Sequence, residues 1–154
     1  MAISDVLAQF SFLSEERIAE LNSVGFDDNK VEAFSILEYM IRKGYEADVK
    51  ASIENGIDVN THEKGDFGSS LLHVSIRYDQ MEIFKFFIEK GANLDFVDNV
   101  GWTPLMESVV DDKPAFTEYL VQKGADKNLI NQRGASAGAL AHKFGRSECL
   151  RALA

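Results

Sequence analysis

The chain has 154 residues, 45% of them hydrophobic, and its formal net charge is −9. This length and composition are enough for one compact unit that buries a core without disulfides. No stretch approaches the ~20 apolar residues that are needed to span a bilayer. Because an acidic body repels phosphate backbones, the charge argues against a nucleic-acid partner; it serves solubility, or it steers the chain toward a basic partner.

The first residues and the single cysteine indicate a reducing compartment. Met1 to Asp5 contain neither the basic nor the apolar region of a secretory signal. Cys149 is the one cysteine of the chain, so an internal disulfide is excluded. We therefore expect a protein of the cytoplasm, either of the producing cell or of a host.

The first 30 residues predict two short helices that stand outside any repeat. Ser4 to Phe10 is a candidate helix, and Ser14 is placed as the N-cap of a second one. Ile18, Leu21 and Val24 follow at three-residue spacing, which predicts one apolar side. This segment either caps the core of the unit that follows it or acts as a separate docking segment.

From about residue 31 onward, the sequence repeats with a period of 33 residues. Glycine recurs in phase at two positions of the period, as Gly68, Gly101 and Gly134 and as Gly91 and Gly124. A period of this length is typical of a stack of small helical units. The pattern divides the chain into a degenerate first unit at 31–64, two central units at 65–97 and 98–130, and a truncated last unit at 131–154.

The first unit carries an insertion. Gly44 lies at the turn between a helix that contains Leu37 to Ile41 and a helix that contains Val49 to Ile53. The glycines that follow the second helices of the first two units are 35 residues apart. The loop from Thr61 to Phe67 therefore has two more residues than the period requires. Loops on one side of a stack tolerate such insertions and often bind partners.

The two central units each predict a pair of short helices. In the second unit they run from about Ser70 to Tyr78 and from Met81 to Lys90, and the second of them is apolar enough to lie between neighbouring units. In the third unit Thr103 is placed as an N-cap, and Pro104 and Pro114 stand at the first positions of the two helices.

The glycine register and the sequence Thr103-Pro104-Leu105 resemble the ankyrin repeat family, whose units have a T-P-L core. The resemblance implies an all-α solenoid of helix-turn-helix units with short hairpin loops, preceded by residues 1–30 as an N-terminal helical cap. The family usually has a glycine between the two helices, where this chain has Asp79 and Asp112, so we expect a local variation of the turn. In the last unit Ser136 to Ala141 replaces the T-P-L core with small residues, as suits an end unit that faces water.

No catalytic constellation, metal site or cofactor site is predicted. His62, His73 and His142 lie in different parts of the pattern, without cysteine or carboxylate groups at metal-ligand spacing. His73 takes the place of the histidine that follows T-P-L in the family, which implies a hydrogen bond to neighbouring backbone. Cys149 falls where the family has a buried aliphatic side chain. We expect a protein that is not an enzyme.

The resemblance also implies where a partner binds. Positions that vary within the family and are exposed lie at the hairpin tips and at the outer ends of the first helices, where they line one concave surface. The predicted partner-binding residues are Asp66, Phe67, Arg77, Tyr78, Asn99, Val100, Trp102, Asp111 and Phe144, and the same positions include Ser69, Val97, Val110, Gln132, Arg133 and Lys143. The aromatic members favour an interface, although Phe67 and Trp102 can instead pack on adjacent hairpins.

Together these features predict a monomeric protein-binding adaptor or inhibitor that uses a preformed surface and no chemistry. An acidic, single-domain member resembles bacterial or viral proteins that block a partner, such as the immunity protein of a toxin. The alternative is a host-directed effector or a regulatory subunit whose N-terminal segment docks separately. A small hydrolase is a third hypothesis, with little in the sequence to support it.

Overall fold

Helices account for all the regular structure in residues 2–154, the part of the chain that the computed structural model describes. They are α1 (Ile3–Leu7), continued by a 3-10 turn at Ala8–Phe10, α2 (Glu15–Ser23), α3 (Ala33–Lys43), α4 (Glu46–Glu54), α5 (Leu71–Arg77), α6 (Met81–Glu89), α7 (Pro104–Val110), α8 (Pro114–Gln122), α9 (Ala137–Lys143) and α10 (Ser147–Leu153). In those residues strand pairing is limited to two isolated bridges, one in the loop before α5 and one before α9.

The helices from α3 onward form four pairs, and each pair packs on the next. Helix α5 lies between α3 and α7, and α7 lies between α5 and α9. The second helices form another layer, in which Phe84 of α6 meets Phe116 of α8 edge to face with ring centroids 4.9 Å apart. Both rings are buried. The predicted all-α solenoid is confirmed.

The first helices of the last three units begin in the same way. The hydroxyl of Ser70 accepts from the backbone N–H of His73 at 3.3 Å, and Thr103 and Ser136 accept in the same manner, three residues ahead, at 3.3 and 3.2 Å. Such a cap satisfies one of the N–H groups that a helix start leaves unpaired. Pro104 and Pro114 occupy the first positions of α7 and α8, as predicted.

The turn between the two helices of a unit is left-handed whichever residue occupies it. Gly44 and Gly145 have φ of 74° and 66°, and Asp79 and Asp112 have φ of 58° and 55°. Aspartate adopts this region more readily than most residues because its short polar side chain can bond locally. The substitution of aspartate for the family's glycine is therefore a local variation, as expected, and the chain path is unchanged.

The N-terminal helices pack onto the first unit. Val6, Phe10 and Leu21 are fully buried. Val24 was expected on the same apolar side, but this is wrong: α2 ends at Ser23, and Val24 is 36% exposed. Three-residue spacing falls about 60° short of a full helical turn at each step, so Val24 has rotated away from the buried side on which Leu21 lies.

Polar contacts also join α2 to the first unit. The guanidinium of Arg17 donates to Asp48 of α4 at 2.6 Å, and it lies 3.4 Å from the ring centre of Tyr45. One carboxylate oxygen of Glu20 accepts from the hydroxyls of Tyr39 and Tyr45, at 2.9 and 2.7 Å. The hydrogen bond from Tyr45 is the largest influence that lowers the pKa of Glu20.

Hairpin loops of consecutive units touch at glycine. A Cβ added to Gly101 would lie 2.8 Å from the backbone N of Gln132, one period later. At Gly68 it would lie 2.6 Å from the side chain of Asn99, which donates to the carbonyl of Asp66 at 3.1 Å. These glycines are therefore required both for their positive φ of 86° and 63° and for the close approach of the next hairpin.

Basic side chains reach back across the stack to the ends of earlier helices. The ammonium of Lys113 donates to the carbonyl of Ile76 at 2.5 Å, and Arg146, one period later, donates to the carbonyl of Val110 at 3.1 Å. Each cation thus meets the C-terminal carbonyls of the first helix in the preceding unit, where a positive charge is favourable.

His73 links two units through its imidazole. The backbone N–H of Ser70 donates to Nδ1 at 3.2 Å, so the proton is assigned to Nε2, which donates to the carbonyl of Trp102 at 3.0 Å. The predicted bond to neighbouring backbone is confirmed. Burial lowers the pKa of His73 to about 4, against the smaller opposite effects of that hydrogen bond and of Asp98.

We predict that Gly101→Ala destabilises the protein more than Gly124→Ala does. Gly124 has a φ of 96° but open space around its Cβ position, so alanine there meets only the backbone strain of about 1–2 kcal/mol. At Gly101 the clash with Gln132 adds about 1–3 kcal/mol. Urea unfolding of both variants measures the difference. Equal losses would show that the hairpins have no need of close approach.

We predict that stability falls as the pH drops from 6.5 to about 4, in part through His73. Over this range the unfolded chain binds a proton at this residue that the folded chain excludes, so the neutral buried ring stabilises fully only above pH 6.5. The loss by the lower pH is on the order of 3 kcal/mol. Urea unfolding across this range should show a shallower decline for His73→Gln, and a parallel curve for the variant would contradict the assignment.

Candidate functional site

The structure places the predicted partner-binding residues in three different situations. Phe67, Val100 and Phe144 are exposed hydrophobic side chains, at 62%, 43% and 42%. The polar members Asp66, Arg77, Asn99 and Asp111 are exposed as well. Tyr78 and Trp102 are half-buried and pack against the core, so only part of each ring faces solvent. Whether any of them contacts a partner stays a prediction.

Ser69 is not an exposed position. It is fully buried, and its hydroxyl accepts from the guanidinium of Arg77 at 3.2 Å, while its carbonyl accepts from the backbone N–H of Glu63 at 2.9 Å. The expectation from its place in the repeat is therefore wrong, because the insertion before α5 folds the loop over this residue.

Exposed apolar side chains recur along the hairpins at the repeat period. Phe67 and Val100 are 33 residues apart, and their hairpins touch, since the N–H of Asn99 donates to the carbonyl of Phe67 at 2.8 Å. Val97 and Ile130 are also 33 residues apart and are 53% and 64% exposed. Ile130 was missed by sequence reasoning, although its phase with Val97 would have identified it. We call these four residues the apolar tips.

Arg77 is exposed, but its guanidinium is held by the neighbouring unit. Its guanidinium donates to Glu107 of α7 at 2.7 Å. Burial favours a lower pKa for Arg77, but the charge of Glu107 and this hydrogen bond outweigh it and raise the pKa. Burial is also the largest influence that raises the pKa of Glu107. Part of the hydrogen-bonding capacity of Arg77 is therefore used within the protein. Glu107 belongs to the site, although nothing in the sequence indicated it.

A groove of about 1010 Å³ opens at the N-terminal end of the stack. Its walls are the N-terminal segment around Phe26, helix α3 with Glu38, and the inserted loop from Thr61 to Phe67, and it reaches Arg77. We call it the N-terminal groove. It brings together three predicted residues, Asp66, Phe67 and Arg77; the other six, Tyr78, Asn99, Val100, Trp102, Asp111 and Phe144, do not line it.

The inserted loop is held in place from two directions. The backbone N–H of Glu63 is bonded to Ser69, and the N–H of Lys64 donates to the carboxylate of Glu32 at 3.0 Å. The groove is therefore preformed. Sequence reasoning missed Glu38 and Glu63, but the two extra residues of the loop did mark this part of the chain.

Residues that could carry chemistry are apart from one another in the described structure. Within residues 2–154, no group of three or more histidine, cysteine, aspartate or glutamate side chains is arranged to hold a metal ion. Cys149 is buried, and burial is the largest influence that raises the pKa of its thiol, which opposes formation of the reactive thiolate. None of the described helices is long and apolar enough to cross a membrane.

Comparison with known sequences agrees with the helical stack. A model of ankyrin repeats matches residues 37–131 in three copies. The chain is 33% identical to Protein phosphatase 1 regulatory subunit 27 of Homo sapiens over 67 residues, which are 44% of each protein. It is 32% identical over 92 residues to Ankyrin repeat protein OPG189 of Variola virus, covering 60% of this chain and 16% of the relative.

A further relative is B-cell lymphoma 3 protein of Homo sapiens, 32% identical over 90 residues, which are 56% of this chain and 20% of that protein. The matched region spans less than half the length of each of these three relatives. The similarity therefore concerns the repeats, and the remaining parts of those proteins have no counterpart in it.

Proposed function

This chain belongs to the ankyrin repeat family, and we propose that it acts by binding a partner protein through its concave surface and apolar tips, without catalysis. The observation that carries the proposal is the exposure of Phe67, Val97, Val100 and Ile130. None of these side chains is needed to fill the core, yet they recur in phase on consecutive hairpins. Contiguous exposed apolar groups are characteristic of protein interfaces, and Phe67 and Val100 stand on hairpins that touch.

The finer proposal is that binding inhibits the partner, as an immunity protein inhibits a toxin. A small, acidic and preformed surface can block a basic surface by covering it, and the net charge of −9 would speed the encounter. The buried, protonated thiol of Cys149 is compatible with a reducing environment, and we propose a cytoplasmic monomer.

A second candidate is a regulatory subunit of a larger enzyme. It is favoured by the similarity to a protein whose name describes it as a regulatory subunit of protein phosphatase 1. In this case the partner retains activity that the chain redirects, whereas an inhibitor abolishes it. An activity measurement on the isolated partner, with and without the chain, separates the two.

We predict that Phe67→Ala combined with Val100→Ser weakens binding of the native partner by at least about tenfold, while leaving the melting temperature nearly unchanged. The few anchor residues of an interface contribute about 2 kcal/mol or more each, and the prediction assigns Phe67 that role; neither side chain fills the core. The partner is captured from the native cell and then titrated against both proteins. Val24→Ser removes an exposed apolar group outside this surface and serves as the control. Undiminished affinity in the double variant would refute the assignment of the surface.

We propose that residues 1–30 cap the stack, and we predict that Leu21→Ala lowers the free energy of unfolding by about 2–5 kcal/mol. Leu21 is fully buried between α2 and the first unit, whereas Val24, near the end of the same helix, is exposed. Val24→Ala should therefore cost well under 1 kcal/mol, as is usual for surface positions. Thermal unfolding of both variants, and of a chain without residues 1–25, provides the measurement. An independent docking segment would instead leave the melting temperature of the truncated chain unchanged.

A further inference from the structure

Asn99 holds three consecutive carbonyl groups of the inserted loop. Its side-chain nitrogen Nδ2 donates to the carbonyls of Gly65 and Asp66, at 3.3 and 3.1 Å. Its backbone N–H donates to the carbonyl of Phe67 at 2.8 Å. A primary amide has two N–H groups, and these bonds use both of them. The side chain of Asn99 therefore has no donor left for a partner.

The hairpin that carries Asn99 is held by a different side chain. One carboxylate oxygen of Asp98 accepts from the N–H of Val100 at 3.0 Å and from that of Trp102 at 2.8 Å. The backbone N–H of Asp98 also donates to the carbonyl of Trp102 at 2.9 Å. Removal of the Asn99 side chain should therefore leave its own hairpin intact and loosen the inserted loop.

The loop conformation that Asn99 holds is one that a chain does not adopt readily by itself. Asp66 has a φ of 39°, which is uncommon for a residue other than glycine. Such a backbone persists where surrounding contacts fix it, and these conformations cluster at functional sites. The contact that fixes it here is the hydrogen bond from Asn99 to the carbonyl of Asp66 itself.

Phe67 is the side chain that this conformation presents to solvent. It follows Asp66 directly, and 62% of its surface is exposed. Interface anchors are typically aromatic side chains that fill a pocket of the partner. A pocket buries both faces of a phenyl ring, whereas a flat surface covers only one. A loop that is already ordered also avoids the loss of conformational entropy that a mobile loop undergoes on binding.

We propose that Asn99 is a positioning residue, which fixes the inserted loop so that Phe67 enters an apolar pocket of the partner protein. The sequence predicts Asn99 as a contact of the partner, whereas in this assignment it acts through Phe67. The proposal rests on the proposed function, since it requires a protein partner that binds at the apolar tips.

The first measurement concerns the full chain without a partner. Amide hydrogen exchange, followed by NMR, reports the order of the loop through the N–H groups of Lys64 and Gly68, which are both hydrogen-bonded. We expect them to exchange at least about tenfold faster in Asn99→Ala, with a nearly unchanged melting temperature. The matched control is Gln132→Ala, which removes the equivalent side-chain bond one unit further on and should leave the exchange of the loop unchanged.

The second measurement is a double-mutant cycle with the partner captured from the native cell. Asn99→Ala should weaken binding at least about tenfold in the wild-type chain, but less than about twofold in a chain that already carries Phe67→Ala. A residue that touches the partner directly would instead weaken binding equally in both chains. Phe67→Trp should weaken binding as well, because the larger ring overfills a pocket that fits phenyl, whereas a flat surface would accept it.

Each of three results overturns the proposal: loop exchange that Asn99→Ala leaves unchanged, an equal effect of this variant with and without Phe67→Ala, or full affinity of Phe67→Trp. The proposed function has a separate outcome. If the partner is lost on substitution of the apolar tips but retained by Asn99→Ala, the positioning assignment fails while the binding function stands. If substitution of the tips leaves the affinity unchanged, or if no partner is captured, the proposed function fails as well.

Discussion

The fold depends on one constraint: none of its helix pairs can bury its own apolar face. The helices of the repeats have between seven and eleven residues, and isolated helices of that length are marginal in water. They are stable here because each pair lies against another pair, as the contact of Phe84 with Phe116 shows. Contacts across units, rather than within them, therefore hold the molecule together.

That constraint explains why polar side chains form hydrogen bonds from one unit to the next. His73 bonds to the carbonyl of Trp102, Lys113 and Arg146 reach back to earlier helices, and the hairpins meet at Gly68 and Gly101. The carbonyls of Trp102 and Ile76 also accept from the backbone N–H groups of Asp98 and Asp79, so the side chains add a second bond, and this second bond joins two units. The remaining positions on the hairpin tips and in the N-terminal groove make none of these contacts. Their residues can therefore change, and a binding surface can change with them, without loss of the helical stack.

The N-terminal groove arises where the periodicity is broken. Two non-repeating features meet there, namely the helices before residue 31 and the longer loop from Thr61 to Phe67. The loop that forms one wall is held by Glu32 and by Ser69. An opening that a regular stack would not have is thus combined with an exposed aromatic ring at its rim, Phe67.

The sequence by itself determined the features that depend on local chemistry and on the period. The helix pairs, the caps at Thr103 and Pro104, the turn at Asp112 and the tips at Phe67 and Val100 could all be predicted, because each follows from residue type at a repeated spacing. The tertiary structure alone decided the burial of Ser69, the exposure of Val24, the pairing of Arg77 with Glu107, and the meeting of Glu38, Glu63 and Asp66 in one groove. These features depend on where a helix ends or where a longer loop folds back. Contacts between residues that are far apart in the sequence and outside the repeat period leave no pattern in the sequence.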